Sequence, residues 1–151
     1  MSSDQLRAGL ASGTVGDDLT VLSGVDVVAI SRIGALRSRD DVDFVERVFT
    51  SDEIAYCEGL AAPAEHYAGR WCVKEAVMKI LDRPGEVPLR TVEVRKDGPA
   101  PVLALHAEAK RELGRTVGTD WADPSLDDAV SISHDRRSDT AVGSVTIVRS
   151  E

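Results

Sequence analysis

The chain has 151 residues, enough for one domain with a real core, and its 42% hydrophobic and 29% charged content is ordinary for a soluble globular protein. A formal charge of -8 argues against a general nucleic-acid binder but leaves room for a local basic pocket. There is no apolar run of membrane-spanning length, no basic start followed by an apolar block, and the two cysteines, Cys57 and Cys72, fit neither a metal nor a disulfide spacing, so a cytoplasmic protein with buried thiols is expected.

Residues 1–18 mix Ser, Gly, Asp and Ala with little periodicity and read as a flexible leader or a short frayed helix around Gln5 to Leu10. A single domain is expected over 19–151. It opens with a β-branched strand from about Thr20 to Ile30, followed by helical stretches from Ile30 to Arg37 and from Val42 to Val48. Thr50-Ser51-Asp52-Glu53 carries an N-cap signature for a helix ending at Gly59. Pro63 opens the longest helix, which runs to about Leu81 before Pro84-Gly85 stops it.

The second half alternates. Thr91 to Arg95 and Val102 to Leu105 form a hairpin across Lys96-Asp97-Gly98-Pro99, and His106 to Gly114 is a short helix. After a loop at Asp123-Pro124, Ala129 to Ser133 and Thr140 to Val148 form a strand–turn–strand. The expected class is α+β, a long helix packed on a small, mainly antiparallel sheet.

Charged residues in apolar settings suggest the chemistry. Asp26 interrupts the apolar strand Gly24-Val25-Asp26-Val27-Val28, Glu75 lies in the long helix, and His134 ends the apolar strand Val130-Ser131-Ile132-Ser133. An acid in such a strand is costly to bury without a partner such as a hard cation. Two acids, Lys74 and Lys79, and a histidine suggest a magnesium–phosphate site. On a helical wheel with Arg70 at zero, Lys74 falls at ~40°, Glu75 at ~140° and Lys79 at ~180°, while Cys72, Val73, Ala76, Val77 and Ile80 form the core stripe. Trp71 and Met78 interrupt the polar half, which suggests contact with a ligand, a loop or another subunit. The competing reading is an ordinary i,i+4 surface pair between Glu75 and Lys79. His66 and His106 are read as structural, and Asp135 as a turn residue.

These segments together resemble a known family. Gly24-Val25-Asp26-Val27-Val28 with Ile30-Ser31-Arg32-Ile33, the stretch Phe44 to Glu53 (an F-x-x-R-x-x-T-x-x-E pattern), Arg70-Trp71-Cys72-Val73-Lys74-Glu75-Ala76-Val77-Met78-Lys79, Asp97-Gly98-Pro99 and Ser131-Ile132-Ser133-His134 are similar, in order, to blocks of the holo-acyl carrier protein synthases, the small-type 4'-phosphopantetheinyl transferases. The resemblance covers about Leu22 to Val148. It departs after Lys79, where the family's Gly-Thr-Gly turn is replaced by Ile80-Leu81-Asp82-Arg83-Pro84-Gly85-Glu86.

The resemblance implies transfer of the phosphopantetheine arm of coenzyme A to a serine of an apo-acyl carrier protein or carrier domain, with Mg2+ and release of 3',5'-ADP. It implies Asp26 and Glu75 as metal ligands, Glu75, Lys79 and His134 as catalytic, and Arg70, Lys74 and His134 as coenzyme A contacts. Arg32 and Arg47 would meet the acidic carrier protein, and the chain would form a homotrimer with sites between subunits. Either Glu75 or a metal-bound water would accept the serine proton. The alternatives are a non-catalytic module binding coenzyme A or a carrier protein, and a magnesium-dependent phosphohydrolase.

Overall fold

The computed structural model describes residues 19–39 and 43–150, so the expected leader or Gln5–Leu10 helix lies outside the described residues. Strand β1 (Leu19–Ala29) leads into α1 (Ile30–Ser38), α2 (Asp43–Val48), α3 (Ser51–Glu58) and the long α4 (Pro63–Ile80). Then come the hairpin β2 (Val92–Asp97) and β3 (Ala100–Leu105), α5 (Ala107–Val117), and the hairpin β4 (Leu126–Asp135) and β5 (Thr140–Ser150). Both sheets are antiparallel: three strands in the order β1-β5-β4, and the separate pair β2-β3. The α+β expectation holds.

The local reasons are legible in the residues. Thr50 caps α3 in a full capping box: its hydroxyl accepts from Glu53 N and the Glu53 carboxylate accepts from Thr50 N. Pro63 occupies the first turn of α4, where a missing N–H costs nothing. α1 has no side-chain cap of its own at Ala29. Asp139, in the β4–β5 turn, supplies it: its carbonyl accepts from Ile30 N, and its carboxylate accepts from Ser31 N at 2.9 Å and from Ser31 Oγ.

α4 lies across the inner face of the β1-β5-β4 sheet, and two glycines let it come close. A Cβ on Gly24 would stand 2.2 Å from the Ala76 carbonyl oxygen, and one on Gly143 would stand 2.5 Å from Val73 N. Core side chains fill in on either side. Val73, Ala76 and Val77 meet β2, β3, α5 and β5, while Tyr67, Ala68 and Cys72 meet α1, α3 and Phe49.

The wheel placed Arg70 and Lys74 on an open polar half, and the structure corrects this: they are 4% and 0% exposed. Lys74 Nζ lies 2.8 Å from Glu53 Oε1 and donates to the Leu89 and Val92 carbonyls at 3.1 and 2.5 Å. Glu53 Oε2 accepts from Val94 N, so the acid is satisfied as well. This buried pair joins α3, α4 and β2. Trp71 is also answered internally, by the Phe44 ring of α2 at 5.6 Å.

Replacing Lys74 with Met leaves Glu53 buried without its counter-ion, so Lys74→Met is expected to lower unfolding free energy by about 3–5 kcal/mol, read from urea denaturation. A lysine that served only to bind phosphate would leave the urea midpoint where it was. Burial pushes the Cys57 and Cys72 thiols up to about 12, so at pH 8 neither is expected to react with a disulfide reagent until denaturant is added.

Candidate active site

Asp26 sits opposite Gly143 on the inner face of β1, and its side chain is 19% exposed. Because Gly24 lets α4 down onto this strand, Glu75 comes to the same groove. Burial first, and then the negative charge of Asp26, hold the Glu75 carboxyl above the ordinary carboxylate range, while Lys79 and Arg32 oppose that rise. Lys79, one turn further along, crosses the groove to Asp26 Oδ1 at 3.0 Å and to the Val25 carbonyl at 2.7 Å. Its ion pair is therefore a tertiary one between helix and strand, not an ordinary pair along the helix surface. The structure brings together Asp26, Glu75 and Lys79, with Arg32 at the rim.

The donor set suits a hard cation of modest demands. Among the described residues there is no group of three or more His, Cys, Asp or Glu placed to hold a metal ion. Two carboxylates whose charges oppose one another in a half-buried groove instead match magnesium, which is held by one or two acids and keeps waters and phosphate oxygens in its shell.

His134 is elsewhere. It lies on β4, the far edge of the sheet, opposite Ala141 of β5, whereas Asp26 lies on β1 with β5 between them. Two strand spacings put these edges roughly 10 Å apart, and α4 rides over the strand in between. On the His134 flank, His134 Nδ1 lies 3.3 Å from Glu65 Oε2 and its ring meets His66 edge-on at 5.5 Å.

Arg70 lines a cleft of about 220 Å³ on the α3–β2 side, shared with Tyr56, Glu93, Arg95 and Lys96. Its guanidinium stacks over the Tyr56 ring at 4.3 Å, and its Nε is buried with no hydrogen-bond partner. Burial, then the charges of His134 and Arg70, keep the His66 pKa below its ordinary value. So one flank of α4 carries acids and Lys79, and the other carries arginine and imidazole.

Lys74 belongs to neither set. The expectation that it contacts nucleotide phosphates is corrected, because its ammonium is enclosed and committed to Glu53 and two carbonyls. Arg32 and Arg47 are exposed on α1 and α2, and Arg47 Nε donates to the Asp43 carbonyl of its own helix. The segment after Lys79 is anchored on α5: Asp82 N donates to Thr116 Oγ1, and Arg83 N to Glu112 Oε1. Those two amides are committed and cannot cradle a phosphate. Sequence reasoning passed over Glu65 and Tyr56, and it read His66 as purely structural. A first-turn acid and a helix tyrosine carry no signal until α4 is docked beside β4 and α3.

Comparison with known proteins identifies the family of the chain. The model of the 4'-phosphopantetheinyl transferase superfamily matches residues 23–123. The chain is 36% identical over 123 residues to the holo-[acyl-carrier-protein] synthase of Syntrophus aciditrophicus, covering 80% of this chain and 91% of that protein. It is 37% identical over 123 residues to fatty acid synthase subunit alpha of Schizosaccharomyces pombe, where the match takes in 79% of this chain but only 6% of that much larger protein. The ACPS–coenzyme A complex of Chronobacterium ammoniagenes superposes with a TM-score of 0.68 at 28% identity, over 87% of this chain and 98% of that one. With the family pattern running through β1, α4 and the hairpins, this chain belongs to the 4'-phosphopantetheinyl transferase superfamily.

Proposed function

We propose that this protein is a holo-acyl carrier protein synthase, which moves the 4'-phosphopantetheine arm of coenzyme A onto a serine of an apo-acyl carrier protein or carrier domain and releases 3',5'-ADP. The observation that carries the reading is the groove in which Asp26 and Glu75 repel one another while Lys79 leans in from the helix. Such a groove suits a diphosphate and its counter-ion, because phosphoryl transfer is chiefly positioning and charge neutralisation. Asp26 and Glu75 would hold Mg2+, which would neutralise diphosphate charge. Lys79 presents its ammonium to the phosphorus-bound oxygens that gain charge as the bond to the ADP oxygen breaks. Arg70, with an unpaired Nε beside an open cleft, meets nucleotide phosphate. His134 donates a hydrogen bond to the diphosphate. Glu75 is the chain's own candidate to take the proton from the carrier serine Oγ. The non-catalytic alternative would bind coenzyme A in the same groove and release no 3',5'-ADP.

Exposed Arg32 and Arg47 suit an acidic carrier surface, and the docking patch is local on a chain of net charge -8. The working form is a homotrimer, and two features support it. Among the described residues nothing covers the outer face of the β1-β5-β4 sheet, where Val25 and Val27 are 57% and 62% exposed beside small residues such as Ser131, Ser133 and Ser144. The acid flank and the imidazole flank of one α4 also face apart, so two copies side by side complete a site. Residues 19–151 act as a single domain. No helix among the described residues is long and apolar enough to cross a membrane, and buried free thiols suit a cytoplasmic setting.

Intact mass of an apo-carrier protein incubated with coenzyme A and magnesium is expected to rise by one phosphopantetheine arm. Asp26→Ala and Glu75→Ala should each abolish that gain with circular dichroism unchanged. Independently of activity, Mg2+ at about a hundred times its Kd should stabilise the wild-type fold by about 2.7 kcal/mol, and Glu75→Gln should lose most of that gain. Loading at the wild-type rate in either alanine variant removes the assignment. Val27→Glu, on the uncovered sheet face, is expected to lower the mass seen in sedimentation to that of a monomer and to reduce loading with it.

A further inference from the structure

The charged group closest to His134 is a carboxylate behind it. Glu65 stands in the first turn of α4, 6% exposed, where the positive end of the helix dipole favours an ionised acid. Its Oε2 lies 3.3 Å from His134 Nδ1, and its Oε1 accepts from Arg136 Nε. Glu65 thus bridges from helix α4 to the end of β4 and the turn that follows. The His134 side chain is 31% exposed, so one edge of the ring is backed by the acid and the rest is open. His66 meets the ring edge-on at an interplanar angle of 76° and limits its rotation. Burial, then the charges of His134 and Arg70, hold the His66 pKa below its ordinary value, and the charge of Glu65 opposes that shift.

An imidazole held at one nitrogen by a carboxylate has its tautomer and orientation set, so the other nitrogen is the one presented outward. We propose that Glu65 is a positioning residue for phosphopantetheinyl transfer: it takes the proton of His134 Nδ1 as a hydrogen bond and turns the ring so that Nε2 faces the coenzyme A diphosphate. In the protonated ring both nitrogens donate, Nδ1–H to Glu65 and Nε2–H to an anionic phosphate oxygen. The inference rests on the reading of His134 as a diphosphate contact. It adds a residue from the start of the long helix, four turns before Lys79, to the machinery of transfer.

A double-mutant cycle on carrier loading tests it, with kcat/KM for coenzyme A as the readout. Glu65→Ala is expected to lower kcat/KM about 10- to 100-fold, as loss of an orienting partner does elsewhere. Added to His134→Ala, it is expected to cause no further loss. Glu65→Gln, which keeps an acceptor oxygen, should recover part of the Glu65→Ala defect. Multiplicative losses in the double variant, or full activity in Glu65→Ala when His134→Ala is impaired, overturn the positioning role and leave the His134 reading intact. Full activity in His134→Ala overturns that reading itself. Should Glu65→Ala fail to fold by circular dichroism, nitrogen-15 spectra of the three histidines in the intact protein decide. A His134 with a proton on Nδ1, whether or not Nε2 is protonated as well, supports the proposal, and one protonated at Nε2 alone overturns it.

Discussion

The whole arrangement depends on how closely α4 can lie on the sheet. Side chains normally hold a helix away from a β-sheet, but Gly24 and Gly143 remove them where Ala76 and Val73 pass overhead. The helix backbone therefore rides directly above two neighbouring strands. That closeness has a chemical result. Asp26 follows Gly24 by two residues on the same face of β1, and Glu75 precedes Ala76. Where backbone meets backbone at Gly24 and Ala76, the two acids are carried into one groove. A side chain at Gly24 would lift the helix and part them, so the meeting of the two acids is written into a residue that has no chemistry of its own.

The helix is held from its other side by charge. Lys74 and Glu53 form an ion pair with almost no exposure, and backbone groups from Leu89, Val92 and Val94 take up the remaining hydrogen-bonding capacity. Pairing two charges indoors is worthwhile only when every donor and acceptor is met, and here they are. Nearby, Glu93 is 2% exposed and accepts from Thr50 and Arg95. The capping box of α3 and the buried pair share Glu53, so the start of one helix and the roll of the next are fixed by one carboxylate. Lys74 and Glu75 are neighbours in sequence with separate duties, because about 100° of helix turns one inward and the other to the groove.

Much of this was legible in the sequence. The order of elements, the capped start at Thr50, Pro63 at the head of α4 and both hairpins follow from local chemistry, and the acids of the groove stood out as charges in apolar strand and helix settings. Other features were not legible, for definite reasons. β4 extends back to Leu126 through Asp127 and Asp128, poor strand formers that pairing with Val148 and Ile147 holds in place. Lys74 looked like a surface charge because a wheel shows angle and not what covers each face; its cover, Glu53 and the Leu89–Val92 backbone, comes from elements before and after α4. The cap of α1 is supplied by Asp139, more than a hundred residues away in sequence, so no window around Ala29 contains it.

The two flanks of α4 also bear on symmetry. Acids and Lys79 lie on one flank, with Arg70, His66 and His134 on the other. In a two-fold dimer the acid flank of one copy meets the imidazole flank of the other only if both flanks lie within one self-complementary patch, and here they lie on different sides of α4. A head-to-tail contact sets the acid flank of one copy beside the imidazole flank of the next. If the rotation closes, the result is a ring in which every copy gives one half to each neighbour and no half is left over. The uncovered faces of the β1-β5-β4 sheets, small and β-branched, can then turn inward toward the axis and exclude water there. The proposed trimer is the smallest ring that does this, and it explains in one step why the sheet leaves valines in solvent and why the site residues part to opposite sides of a single helix.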